Sequence, residues 1–210
     1  MKTDFDIFGN GPILFIGCHP DDVELGCGGL ISRINPKSKI YTLTLSKNQY
    51  NSKNKNIVSE HFKSLQFLGI KKNHILLDDF KTREFSYSRQ EICDSLWKIK
   101  QKIKPTCVFV NSADLHQDHQ VCNMECQRTF RNISIIEYNV ERSTLFPKYT
   151  LFVKLTKNEV TKKINALKNY KTYKNKNYFS PRKILAHSET VGIKIEAMYC
   201  ETYNVVSIVV

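Results

Sequence analysis

At 210 residues the chain is long enough for one domain with a substantial core and too short for two full ones. A hydrophobic fraction of 41% and a charged fraction of 25% are ordinary for a soluble globular protein and do not indicate disorder. The formal net charge of +12 admits nucleic acid, an anionic membrane surface, or a phosphorylated or carboxylated substrate, and charge alone does not choose among them.

No apolar run reaches the roughly 20 residues a membrane helix needs. Residues 1–8 carry acids without the basic start and apolar middle of a signal peptide, so a cytoplasmic location is expected. Seven cysteines, an odd number with no C-x-x-C pair, read as reduced thiols and fit the same compartment.

In chain order, Pro12 to Cys18 (PILFIGC) is nearly continuous in apolar residues, as expected for a strand buried on both faces of a parallel sheet. A helix should run from Asp21 or Asp22, acids favoured at a helix start, to about Ile34. Gly26, Gly28 and Gly29 inside that helix point to close approach to the sheet or to a ligand. Neither a dinucleotide fingerprint nor a P-loop is present. Lys39 to Leu45 reads as a second strand, Ser46 to Asn56 as a polar loop, and Ile57 to Leu68 as a helix ended by Gly69. His74 to Leu77 is a third strand, Ser88 to Lys104 a helix stopped by Pro105, and Cys107 to Val110 a fourth strand. Gln120 to Phe130 reads as a helix and Ile133 to Tyr138 as a fifth strand.

The remainder adds a strand at Leu151 to Leu155, a helix at Lys157 to Tyr170, a Lys/Tyr/Asn-rich loop to Phe179, a partly helical Pro181 to Ala197, and a terminal strand at Val205 to Val210. Alternation of strand and helix implies an α/β fold. The expectation is a single domain over 1–210, a Rossmann-like three-layer sandwich with a mostly parallel central sheet and a C-terminal strand/helix extension.

Two blocks carry chemistry. His19-Pro20-Asp21-Asp22-Val23-Glu24 follows strand 1, and Asp114-Leu115-His116-Gln117-Asp118-His119 follows strand 4. In a sheet of order 3-2-1-4-5 these strands are neighbours, and ligands bind in the crevice at their carboxyl ends. Imidazole and carboxylate suit Zn²⁺, with three protein ligands and a fourth position for water; His19, Asp22 and His119 fit. Spacing does not choose between Asp21 and Asp22 as the ligand. The same donors accept Fe²⁺ or Co²⁺.

The stretch His19 to Gly29 (HPDDVELGCGG), with Asp114-x-His116-x-Asp118-His119, resembles the PIG-L/LmbE family of zinc-dependent N-acetyl-sugar deacetylases. Weaker similarity runs through Glu60, Leu68-Gly69, Lys104-Pro105 and Tyr199-x-Glu201-x-Tyr203. The resemblance implies zinc held by His19, Asp22 and His119, Asp21 as general base, and His116 as electrostatic partner, with Asp118 orienting His116 and keeping it protonated. It implies removal of acetate from an N-acetylated amino sugar, free or carrying a nucleotide, phosphate or carboxylate that the basic surface attracts. A non-sugar acyl amide is the alternative substrate.

Where the family often has Gly-Glu after strand 2 and Arg before the helix glutamate, this chain has Ser46-Lys47 and Ile57. Lys47 and Arg83 are therefore candidate substrate-binding cations. Residues 151–183 hold ten Lys or Arg against the single acid Glu159. Within them Tyr170, Tyr173, Tyr178 and Phe179 interleave with lysines, either as a stacking surface for nucleotides or sugars or as an unspecialised basic loop. Binding of nucleic acid is the minor reading. His61, His74 and His187 read as structural or exposed, and Cys122 and Cys126 as buried thiols.

Overall fold

The computed structural model describes residues 8, 10–35, 39–48 and 52–210. The N-terminal stretch compared with a signal peptide and the middle of the 46–56 loop lie outside the described residues. The first half alternates β1 (Ile13–Gly17), α1 (Asp22–Ile34), β2 (Ile40–Thr44), α2 (Ile57–Phe67), β3 (Ile75–Leu77), α3 (Arg89–Ile103), β4 (Cys107–Asn111), α4 (Gln117–Thr129) and β5 (Ser134–Tyr138). It continues with β6 (Leu151–Leu155), α5 (Lys157–Leu167), α6 (Pro181–Ile193) and β7 (Tyr199–Ser207).

The sheet has the order β3-β2-β1-β4-β5-β7-β6. β1 to β5 pair in parallel, and β7 runs antiparallel between β5 and β6. This is the expected α/β architecture with the expected central order. The continuous apolar run of β1 is explained by its two faces. Ile13 and Phe15 pack with Cys27, Ile31 and Phe109 on the α1 side, whereas Leu14 and Ile16 pack with Leu96, Val121 and Cys122 under α3 and α4. Among the described residues no helix is long and apolar enough to cross a membrane.

The α1 glycines mark close packing. A Cβ on Gly26 would lie 2.2 Å from the Tyr138 ring, and one on Gly29 would lie 3.0 Å from the Glu201 carboxyl carbon. Glu201 fills that space and accepts from Gly29 N at 2.9 Å, Leu30 N at 2.7 Å, Lys163 Nζ at 2.7 Å and the Tyr203 hydroxyl at 2.8 Å. The buried acid thus fastens α1 and α5 to β7.

Among the boundaries that differ from the sequence reading, two bear on the site and its support. α4 begins at Gln117 rather than Gln120, because His116 caps it, its Nδ1 accepting from Asp118 N at 3.1 Å. β7 begins at Tyr199 rather than Val205. Cys200, Glu201 and Thr202 look polar for a strand, yet all are buried because the strand is paired on both edges and covered by α1 and α6.

Candidate active site

β1 and β4 are paired neighbours, so the turns that follow them meet at one end of the sheet. The first turn is shaped by Asp22, whose Oδ2 accepts from Cys18 N at 3.0 Å and His19 N at 2.9 Å. Asp21, the residue before α1, has φ 107, a left-handed conformation rarely adopted by a residue with a Cβ. Such strain, about 1–3 kcal/mol, persists where the surroundings dictate it and gathers at functional sites.

His19, Asp22 and His119 are brought together. Asp22 Oδ2 lies 3.6 Å from His19 Nδ1 and 3.4 Å from His119 Nε2. The far nitrogen of each ring is held by a second carboxylate. His19 Nε2 donates to Asp118 Oδ2 at 2.9 Å, and His119 Nδ1 donates to Asp114 Oδ2 at 2.8 Å. Asp114 is held in turn by His116 N at 2.8 Å and the Ser143 hydroxyl at 2.5 Å. Two triplets of donor atoms each lie within 4.8 Å of one another, Cys18/Asp22/His119 and His19/His116/Asp118, and His19 bridges them.

The electrostatics call for positive charge at this point. Burial opposes charge on His119, but Asp22 and Asp114 outweigh it and raise its pKa to about 10. His19 likewise rises to about 9 against burial, through Asp118 and Asp22. Asp22 is held well below the carboxylate range because the two rings overcome its burial; Asp114 and Asp118 are lowered in the same way. Asp21 goes the other way: burial first, then the Asp22 charge, raise its proton affinity well above normal.

The geometry bears on three further expectations. Asp118 holds His116 through its amide, which donates to His116 Nδ1 at 3.1 Å, and its carboxylate is turned elsewhere. It pairs with His19 and accepts from Arg83 N at 2.7 Å, and it lies 4.0 Å from His116 Nδ1. Burial, then the positive charge of His19 and His119, lower the His116 pKa to about 4. The third concerns the cations. Lys47 is engaged with Asp79 at 3.1 Å, and Arg83 reaches the centre through its main chain, with an exposed side chain.

The Tyr-rich segment is a built wall of the site. Tyr170 donates to Glu24 Oε1 at 2.6 Å and pairs with His61 Nδ1 at 2.8 Å, while His61 Nε2 meets the Thr44 hydroxyl at 3.0 Å. Glu60 accepts from Thr172 N at 3.1 Å, and the Tyr173 hydroxyl accepts from Asn48 Nδ2 at 2.9 Å. Tyr170, Tyr173 and Phe179 are buried together with Ile57 and Leu167, so they offer no stacking surface to a base. Lys176 is half-buried over the Tyr173 ring, 3.3 Å from its centroid, and within electrostatic reach of Asp21 and Asp22.

An open, mostly parallel sheet with paired His/Asp clusters at the switch between its central strands places the chain among α/β enzymes that assemble their centre from the turns after those strands. Residues 14–128, which contain both clusters, match the family PIG-L: GlcNAc-PI de-N-acetylase, and the chain belongs to that family. It is 29% identical over 168 residues to the Escherichia coli (strain K12) protein named "Uncharacterized deacetylase YaiS", covering 76% of this chain and 90% of that protein. In fold it resembles the N,N'-diacetylchitobiose deacetylase of Pyrococcus horikoshii, with a TM-score of 0.81, 18% identity, and 96% and 86% of the two chains covered. It also resembles GalB, the 4-carboxy-2-hydroxymuconate hydratase of Pseudomonas putida KT2440, with a TM-score of 0.75, 13% identity, and 95% and 98% covered.

Proposed function

We propose that the protein is a metal-dependent N-deacetylase of an amino sugar or amino-sugar conjugate, releasing acetate and a free amine. The observation that carries this reading is the convergence of His19, Asp22 and His119 around one carboxylate oxygen, with Asp21 beside them and each ring backed by a second acid. Carboxylate-backed imidazoles are the usual partners of a bound zinc. The pairing of Nδ1 with Asp114 leaves His119 Nε2 facing the shared centre, and Asp118 Oδ1 is buried without a hydrogen-bond partner among the described residues. These donors fit Zn²⁺, and Fe²⁺ or Co²⁺ as well.

His19, Asp22 and His119 would hold the ion, which when bound supplies a Lewis acid that lowers the pKa of water and polarises an acyl carbonyl. The other steps belong to the chain. Asp21, whose proton affinity is raised by burial, accepts the proton of the attacking water and returns it to the departing nitrogen. His116 has committed Nδ1 to the Asp118 amide, so the neutral ring carries its proton on Nε2 and donates it as a hydrogen bond to the oxygen that gains charge. The known sugar substrate of the Pyrococcus protein supports an N-acetyl sugar here. Because the same fold serves a hydratase, the direct test is acetate release from N-acetylated amino sugars compared with acyl amides outside sugars. Acetate from the latter alone would overturn the sugar assignment.

The histidine assignment has a pH signature. Burial is the first cause that lowers the His116 pKa; with the ring neutral in the working range, His116→Ala should lower kcat by about 10²–10³-fold without moving either limb of the profile. The acid limb belongs to Asp21: activity is lost as pH falls through its raised pKa, above the usual carboxylate range. A basic limb that disappears in His116→Ala would show a working imidazolium and overturn this account.

A further inference from the structure

We propose that the Cys18 thiolate is a further donor to the metal held by Asp22 and His119, so that sulfur biases the centre toward thiophilic ions. The inference deepens the metal-dependent reading above and rests on it. Alternation along β1 brings the thiol there. Leu14, Ile16 and Cys18 share the face of the sheet that packs under α3 and α4, and Phe15 takes the other face. α4 carries His119 in its first turn, so the last side chain of this face meets that ring. Cys18 Sγ, one Asp22 carboxylate oxygen and one His119 ring nitrogen all lie within 4.8 Å of one another. The main chain fixes the same arrangement, Cys18 N donating to Asp22 Oδ2 at 3.0 Å.

The separations suit an ion. Zinc bonds of about 2.0–2.3 Å put neighbouring tetrahedral donors about 3.4–3.6 Å apart. Asp22 Oδ2 and His119 Nε2 already stand 3.4 Å apart, and only Sγ has to draw closer. Little holds the thiol where it is: its hydrogen faces Asn111 Oδ1 and the Asp118 carbonyl oxygen, each at 3.4 Å, and a thiol is a weak donor. A bound ion deprotonates a coordinating thiol outright. The S–H bond breaks, the proton passes to solvent, and the sulfur lone pair forms the bond to the metal. Cys18 is fully buried and the His116 ring is partly exposed, so sulfur enters from the core and leaves the solvent side to water and substrate; zinc also accepts a fifth ligand. Thiolate favours Zn²⁺ over Mn²⁺ more strongly than carboxylate and imidazole do.

X-ray absorption at the zinc edge of the wild-type holoenzyme tests this without any variant. One sulfur at about 2.3 Å from zinc is expected; nitrogen and oxygen neighbours alone would overturn the proposal. A second experiment replaces zinc by Co²⁺, without oxygen, in the wild-type, Cys18→Ser and Cys122→Ser proteins. Wild type and Cys122→Ser should show the near-ultraviolet sulfur-to-cobalt charge-transfer band together with the visible cobalt bands. Cys18→Ser should keep the visible bands and lose the charge-transfer band, and a band that survives there contradicts ligation by Cys18. Zinc affinity relative to Mn²⁺ should fall by at least about tenfold in Cys18→Ser, and an unchanged ratio counts against the sulfur donor. The two readings fail differently. Cobalt bound without a charge-transfer band removes Cys18 alone and leaves metal-dependent deacetylation standing, whereas no bound zinc or cobalt in any of the three proteins overturns both.

Discussion

Asp21→Asn should retain the metal and lose turnover by about 10²–10⁴-fold, the usual contribution of a positioned general base. The substitution is unusually clean here. Asp21 adopts φ 107 and makes no side-chain cap to α1, and Asn tolerates left-handed backbone as well as Asp does. Neither the turn nor the helix start should change, and only the ability to accept a proton is removed. The experiment also separates two roles that spacing leaves open. A variant with full turnover excludes Asp21 as the base, while a variant purified without metal would make Asp21 a ligand.

His119→Ala should abolish metal binding and, with it, activity, because it removes the one ring whose Nε2 lies 3.4 Å from Asp22 Oδ2 and whose Nδ1 is already held. Asp114→Ala should act more gently, weakening metal affinity by about 10–100-fold while leaving the ligands in place. Metal content after dialysis against a graded chelator reads both effects. The order matters: wild type should hold metal most tightly, Asp114→Ala less, and His119→Ala not at all. Wild-type metal content in His119→Ala would remove that residue from the site.

Much of the centre was legible because the chemistry was local. His19 to Glu24 occupy one strand-to-helix turn, Asp114 to His119 another, and a parallel β1–β4 pair makes the two turns adjacent. Three features were less legible. Asp114 was quoted in its block without a role, since nothing in the spacing says that it, rather than Asp118, supports His119. Asp118 meets two rings where spacing suggested one: its amide donates to His116 Nδ1 in the helix cap, and its carboxylate pairs with His19.

The Tyr-rich segment was ambiguous because a lysine-rich stretch looks solvated. Its fixed position depends on Glu24, Glu60 and His61, which come from α1 and α2, more than a hundred residues earlier.

The most direct test of the account is acetate release from an N-acetylated amino sugar, followed while metal is removed and returned. Chelated protein should be inactive, and activity should return in proportion to added Zn²⁺ up to about one ion per chain. Acetate release at the wild-type rate from fully chelated protein would contradict the metal-centred mechanism.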